Sequence, residues 1–370
     1  MGDGQVRAWA RAALGRSEAL DSLVRRVRRS DEVAALTREA ATLASEVAQL
    51  RVELDRARAD PAMSGGAPGD GGDAGPGDAG PDGPAAPEPV PESVRPFLAW
   101  APPGHFYSPV PDLGDVERDA TRIFATVRDL PGVDLRELAQ LERFATLATL
   151  AREAPLPTRA GDGHRYSTDN LNYGPGDAMM LQSMLRMLRP RRYLEVGSGW
   201  TTALALDTSE RFLDGALAVT AIEPYPELLE GVLRPGDPVE IIARRVQDVP
   251  LDTFATLGAG DVLFVDSSHV VKAGSDVHHL FTRVLPALAP GVVVHVHDVF
   301  WPFEYLRHWI AEGRAWNEAY LLHAFLLYND TFEILLWNHW LAMAHPEVVA
   351  SSLPAMVENP GGALWMQKGK

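Results

Sequence analysis

Five short runs of apolar, β-favouring residues recur through the second half of the chain: Arg192–Val196, Ala216–Glu223, Val239–Ala243, Asp261–Asp266 and Val292–Val296. Each is nearly continuous in its apolar character, as a strand is when both of its faces are covered. Between or before them lie stretches of helical character, Asp177–Leu188, Thr201–Arg211 and Asp276–Leu288. Strand and helix in alternation point to βαβ units and a parallel sheet with helices on both faces. After the fifth run come a helical stretch, Asn317–Leu327, and two more strand candidates, Thr331–Trp337 and Ala363–Gln367, which can close the sheet. At 370 residues and 46% hydrophobic, the chain can bury such a core unaided.

Ahead of this region the pattern changes twice. Val33, Leu36, Ala40, Leu43, Val47, Leu50 and Leu54 recur at spacings of three and four, a heptad seam of about three repeats. Residues 1–59 are therefore expected to form a helical, coiled-coil segment that makes the protein a homo-oligomer; a helix packed on its own folded domain is the alternative. Residues 60–91 are dominated by Gly, Pro, Ala and Asp and are expected to be a disordered linker, since such a stretch buries too little apolar surface to offset its ordering entropy. The folded domain then spans 92–370. A formal charge of −16 argues against a nucleic-acid partner, because phosphate binding draws on clustered Lys and Arg. The absence of cysteine excludes a disulfide framework, a thiolate metal site and a cysteine nucleophile. No signal-peptide pattern and no membrane-length apolar run is present, so a cytoplasmic protein without a membrane partner is expected.

Between the first strand and the first helix stands Glu195-Val-Gly197-Ser198-Gly199-Trp200. Two glycines there let the backbone approach a ligand closely, although a tight turn without a ligand would use them too. Glu223 ends the second strand, where a carboxylate can accept hydrogen bonds from both hydroxyls of a ribose. A dinucleotide-binding loop would place a third glycine at position 202, where Thr202 stands, which favours a cofactor without a pyrophosphate. Together these residues resemble the class I S-adenosylmethionine methyltransferases, whose first motif is matched by Glu195, Gly197 and Gly199 and whose second is matched by Glu223. The resemblance covers roughly 169–370. It implies an α/β fold, a Rossmann-like seven-stranded sheet that is parallel but for an antiparallel last strand, here Ala363–Gln367. It also implies S-adenosylmethionine as cofactor, held by Glu195, Gly197, Ser198, Gly199, Glu223 and Asp266, with Gln247 and Asp248 beside the adenine. Tyr166–Asn170 and Asn172–Gly174 then either cover the cofactor or form a plain surface turn.

Ligands of open parallel sheets bind beyond the carboxyl ends of the strands, so Asp266 and the pair His297-Asp298 should face one crevice. His269 follows on the loop leaving the same strand as Asp266. Asp266-Ser-Ser-His269 with His297-Asp298 resembles the metal-assisted O-methyltransferases of catechol and macrolide-sugar type. The resemblance implies Asp266, His297 and Asp298 as ligands of Mg2+ or Mn2+ and His269 as the catalytic base. A histidine at position 297 is a departure, because magnesium prefers oxygen. Metal-free catalysis with His269 as base, and a structural role for the cluster, stay open. His295 reads as a core histidine or, less simply, as a further ligand. Asp276 and His279 share a helix face and are set aside as a cap and a solvated or partly buried histidine.

The segment from Val299 to Trp316 carries an unusual number of aromatics, which either pack as a lid on the sheet edge or stack on an acceptor with help from Glu304 and Arg307. His105-Phe-Tyr-Ser108 is a second aromatic patch that could fold over the pocket. The expected activity is O-methylation of a hydroxyl on a sugar or other small molecule. Methylation of nitrogen or of a carboxylate on the same fold is the first alternative, and a non-catalytic, cofactor-binding scaffold assembled through the coiled coil is the second.

Overall fold

A computed structural model describes residues 90–369 apart from 160, 162 and 171; the expected coiled-coil segment and nearly all of the expected linker lie outside the described residues. Seven strands form one sheet: β1 (Arg192–Val196), β2 (Ala218–Ile222), β3 (Val239–Ile242), β4 (Val262–Val265), β5 (Val293–Val296), β6 (Phe332–Trp337) and β7 (Leu364–Lys368). Their order is β3-β2-β1-β4-β5-β7-β6. Pairings are parallel from β3 to β5, whereas β7 runs antiparallel to both β5 and β6. Every expected strand is present, with ends displaced by at most two residues.

All four residues of β4 and all four of β5 are buried. Successive side chains of a strand point to opposite faces, so both faces of the sheet are covered there, which is why these strands read as unbroken apolar runs. His295 of β5 belongs to this core. It is fully buried and stacked on Phe264 with ring centroids 3.9 Å apart, and burial, with the neighbouring charge of His297, holds it well below the usual histidine pKa and therefore neutral.

The principal helices are α1 (Glu137–Glu153), α2 (Pro175–Leu188), α3 (Trp200–Phe212) and α4 (Glu318–Leu326). The expected helix at 276–288 is one helical run, Asp276–His279, Leu280–Val284 and Leu285–Ala287, whose middle part is a π-turn. No helix among the described residues is long and apolar enough to cross a membrane.

Two buried charged residues tie the elements together. Asp177, in the first turn of α2, accepts hydrogen bonds at 3.0 Å from Asn338 Nδ2 and from the backbone N–H groups of Gly362 and Ala363. It thereby fixes α2 to the end of β6 and the start of β7. Burial pushes its carboxyl up to about 6, against the opposing charge of His297 and the two backbone donors. Arg165 is the second. Its guanidinium donates to Asp207 at 2.8 Å, Glu210 at 2.6 Å and Asp237 at 2.5 Å, while Asp207 also accepts from the backbone N–H of Arg165 and Tyr166. A planar fork with several donors suits this convergence of carboxylates, and a lysine would not replace it. The segment beyond Arg165 is consequently no plain surface turn: Tyr166 and Tyr173 are buried, and the Tyr166 hydroxyl donates to the Tyr173 carbonyl at 2.8 Å.

The aromatic segment after β5 is mostly packing. Phe300, Trp301, Phe303 and Tyr305 are buried, and Arg307 and Glu304 are paired with Glu117 and Tyr320. Phe106 and Tyr107 stand exposed rather than folded over the sheet.

Candidate active site

The strand order reverses between β1 and β4, since β2 and β3 lie on one side of that pair and β5 on the other. Crevices for ligands open at such a switch point, beyond the carboxyl ends of the strands. The backbone keeps those ends in register past the strands: Asp266 N–H donates to Val196 O at 2.9 Å, His297 N–H to Val265 O at 2.9 Å and Glu223 N–H to Ile242 O at 3.1 Å. Gly197 sits at φ +80°, and a Cβ there would lie 1.7 Å from the Asp266 carbonyl oxygen. Glycine is what lets the loop after β1 close against the end of β4.

Around that loop, the side chains divide into those that build it and those that face outward. Glu195 is fully buried, with Tyr193 donating to one of its oxygens at 3.0 Å and Thr202 to the other. Thr202, the residue that breaks the dinucleotide pattern, therefore anchors the first turn of α3 to β1. Glu195 acts as a strut under the loop and offers no exposed oxygen to a cofactor. Burial pushes its carboxyl up to about 8 against hydroxyl groups of Thr201, Thr202 and Tyr193. A carboxyl that keeps its proton to about pH 8 when folded but ionises near 4.5 when unfolded makes stability fall as pH rises through that window. We expect the melting temperature to drop between pH 5 and 8, and the drop to be smaller by several degrees in Glu195→Gln. Parallel melting curves against pH would refute this.

Glu223 faces outward at the end of β2. One oxygen accepts from Ser198 N–H at 3.2 Å and the other from Tyr225 N–H at 2.9 Å, which leaves a lone pair free on each. The hydroxyls of Ser198 and Ser267 are buried and have no partner within the described protein. Gln247 and Asp248 lie in one turn of helix after β3, where Gln247 Nε2 donates to Gly274 O at 2.8 Å and Asp248 pairs with Arg245 at 2.9 Å.

Beyond β4 and β5, one oxygen each of Asp266 and Asp298 and one nitrogen of His269 lie within 4.8 Å of one another. His269 Nε2 is 3.3 Å from Asp266 Oδ1 and 3.5 Å from Asp298 Oδ2. The group opens to solvent on its acidic side, where the Asp266 side chain is 31% exposed against 7% for His269. Both His269 (φ 58°) and Asp298 (φ 56°) take left-handed backbone, a conformation non-glycine residues adopt at a cost and one that gathers at functional sites. Burial lowers the basicity of His269, but Asp266 and Glu318 together outweigh it and hold the ring well above the usual histidine pKa. Of the two acids Asp266 ionises more readily: burial raises both, but the charges of His297 and His269 bring Asp266 below the usual carboxylate value, whereas Asp298 stays above it.

The expected third ligand is corrected by this geometry. His297 stands outside the converging group, with Nδ1 3.3 Å from His295 Nε2 and Nε2 3.6 Å from Asp298 Oδ1. Burial opposes its charge, and the carboxylates of Asp298, Asp266 and Asp177 raise its pKa. His269, expected only as the base, takes its place. A residue not foreseen also enters: Glu318, the first residue of α4, is 1% exposed and holds His269 Nδ1 at 2.9 Å. Only its position at the start of a helix was visible in the sequence.

Residues 194–299 match the family model described as a methyltransferase domain. An uncharacterised protein of Archaeoglobus fulgidus is 32% identical over 162 residues, which cover 42% of this chain and 73% of that one. Among solved structures, the SAH-bound methyltransferase PaMTH1 of Podospora anserina is similar at 18% identity and a TM-score of 0.35, covering 70% of this chain and 96% of its own. A methyltransferase structure from Thermobifida fusca is similar at 14% identity and a TM-score of 0.34, covering 63% and 95%. Both overlays are loose; the family model and the archaeal relative carry the assignment, and the chain belongs to the class I S-adenosylmethionine-dependent methyltransferases.

Proposed function

We propose that this methyltransferase acts on the oxygen of a hydroxyl carried by a sugar or another small molecule, with His269 as general base. The observation that supports the reading is the convergence of Asp266, His269 and Asp298 beside the glycine loop. S-adenosylmethionine supplies a methyl group on a sulfonium, an electrophile that needs no further activation. The acceptor does need it, because an alcohol proton is held too tightly to leave at neutral pH. The carboxylates around His269 favour its charged form, so the base is the ring that has first lost its Nε2 proton to solvent on the Asp266 side; as the acceptor oxygen bonds to the methyl carbon and the carbon–sulfur bond breaks, the hydroxyl proton passes to that Nε2. A methyl ether and S-adenosylhomocysteine result. Beyond that proton, the protein's work is alignment of oxygen, carbon and sulfur. Trp316, whose ring lies 4.4 Å from that of His269, offers an apolar wall to the acceptor.

For the cofactor, the backbone of Gly197–Gly199 would meet the methionine part, Glu223 the ribose hydroxyls through its two free lone pairs, and Gln247 and Asp248 the adenine. The partnerless hydroxyls of Ser198 and Ser267 fit a polar ligand at the same place. Glu223→Ala should weaken S-adenosylmethionine binding by about 10- to 100-fold, the loss expected for a charge-assisted pair of hydrogen bonds, with little change in melting temperature. Calorimetry showing an unchanged Kd would remove Glu223 from the cofactor site.

Asp266, Asp298 and His269 also suit a divalent cation, and two carboxylates with an imidazole favour Mn2+ over Mg2+. A cation held there would polarise the acceptor hydroxyl. His269 Nε2 has one lone pair, so it serves either as third ligand or as base. The deciding experiment is a screen of cofactor consumption across sugars, glycosides and phenols, with Mn2+, with Mg2+ and with chelator. Turnover of hydroxyl acceptors is expected. Turnover confined to amines or carboxylates would overturn the O-methylation reading, and full activity in chelator would remove the cation.

A further inference from the structure

His269 is held from two directions by one residue. Its ring nitrogen Nδ1 lies 2.9 Å from Glu318 Oε2, and its backbone carbonyl accepts from the N–H groups of Glu318 at 3.1 Å and Asn317 at 3.0 Å. Asn317 extends the grip by accepting from Val271 N–H at 2.5 Å and donating to the Val271 carbonyl at 3.4 Å. The loop that leaves β4 is thus clasped to the first turn of α4, across 49 residues of sequence for the His269–Glu318 contact.

A helix start alone does not call for this arrangement. The first N–H groups of α4 are met by the His269 carbonyl, for Glu318, and by the Tyr305 hydroxyl at 3.0 Å, for Ala319, and a buried glutamate side chain adds nothing to that capping while its own desolvation is unfavourable. The other Glu318 oxygen, Oε1, is buried and has no partner among the described residues, so the one hydrogen bond that its side chain makes among them is with the imidazole. Both ring nitrogens face carboxylates, Nδ1 at 2.9 Å from Glu318 Oε2 and Nε2 at 3.3 Å from Asp266 Oδ1, so both are placed to donate while the ring is charged. The Nδ1 contact is the shorter and lies against the more buried acid, Glu318 being 1% exposed and Asp266 31%, so when the ring is neutral Nδ1 keeps its proton and Nε2, on the solvent-open side, is the nitrogen left to meet an acceptor or cation. Hydrogen bonding at one ring nitrogen commonly sets what the other can do.

We propose that Glu318 is a positioning residue that fixes His269 as the Nδ1–H tautomer and so reserves Nε2 for the reacting oxygen or a cation, an inference that rests on the reading of His269 as the working base or ligand. The test uses the full chain labelled with 15N-histidine, with the His269 ring assigned by its loss in His269→Asn. Long-range 1H–15N spectra, followed through a pH series until the ring is neutral, should show Nδ1 protonated in the wild type. In Glu318→Ala the neutral ring should shift to Nε2–H or to a mixture, and in the isosteric Glu318→Gln, which can also donate to Nδ1, the Nδ1–H form should lose its dominance. S-adenosylmethionine affinity, measured by calorimetry, should stay within about twofold in both variants, which certifies that the fold is intact. A neutral ring that is Nε2–H in the wild type, or one unchanged in both variants, overturns the proposal. The measurement needs neither acceptor nor metal, so an acceptor screen without turnover would sink the O-methylation reading and leave the role of Glu318 to be judged on the spectra.

Discussion

Alanine in place of His269 should lower methyl transfer by roughly 10²- to 10⁴-fold, the span general-base catalysis ordinarily covers, while S-adenosylmethionine affinity stays close to that of the wild type. The two effects separate because His269 lies beyond β4 with its ring toward Asp266 and Asp298, whereas the residues suited to the cofactor lie on the loop after β1 and at the end of β2. The measurement is turnover with an acceptor from the screen, beside calorimetric titration of the cofactor. Equal damage to both would mean that His269 holds the crevice together instead of working in it. A chelator divides the remaining possibilities: if the wild type is already silent without a cation, the histidine counts as a ligand, and if it is fully active, as the base.

A second large effect is expected far from any reacting atom. Asp177→Ala removes the acceptor for three buried donors, Asn338 Nδ2 and the N–H groups of Gly362 and Ala363. Leaving buried donors unpaired costs about 1 to 3 kcal/mol each, and some relaxation is certain, so a destabilisation on the order of 3 to 5 kcal/mol is expected. At roughly 2 to 4 °C per kcal/mol for a domain of this size, the melting temperature should fall by about 6 to 20 °C. Asp177→Asn keeps the shape and one oxygen and should fall between the two. A melting temperature within about 2 °C of the wild type for the alanine variant would show that α2 and β7 are held together by other means.

These two residues mark the boundary of what was readable beforehand. The central strands β4 and β5 were visible because burial on both faces leaves unbroken apolar runs, the edge strand β3 through its β-branched residues although none of it is buried, and the glycine loop and Glu223 because their chemistry is local to strand ends. His269 was visible for the same reason, three residues beyond Asp266. Its orientation was not. The ring is turned by left-handed backbone at residue 269 and by a carboxylate 49 residues further on, and neither leaves a periodic trace. His297 was misplaced because strand alternation gives the face of a side chain but not which of its nitrogens is already engaged, and here His295 takes one and acids surround the other. Asp177 appeared only as the start of a helical stretch because its partners lie 161 to 186 residues away. Arg165 was overlooked for the same reason, its carboxylates being spread over α3 and the turn before β3.

The left-handed backbone at positions 269 and 298 also limits how this crevice can be redesigned. Aspartate, asparagine and histidine are the side chains that tolerate such dihedrals most readily, and glycine accepts them freely. A lysine at 269 or a glutamate at 298 would start with a conformational penalty of about 1 to 2 kcal/mol before any chemistry is counted. Libraries that sample these two positions uniformly would therefore spend most of their members on strained backbones, and a productive search would hold both to the small permitted alphabet and vary the aromatic wall around Trp316 instead.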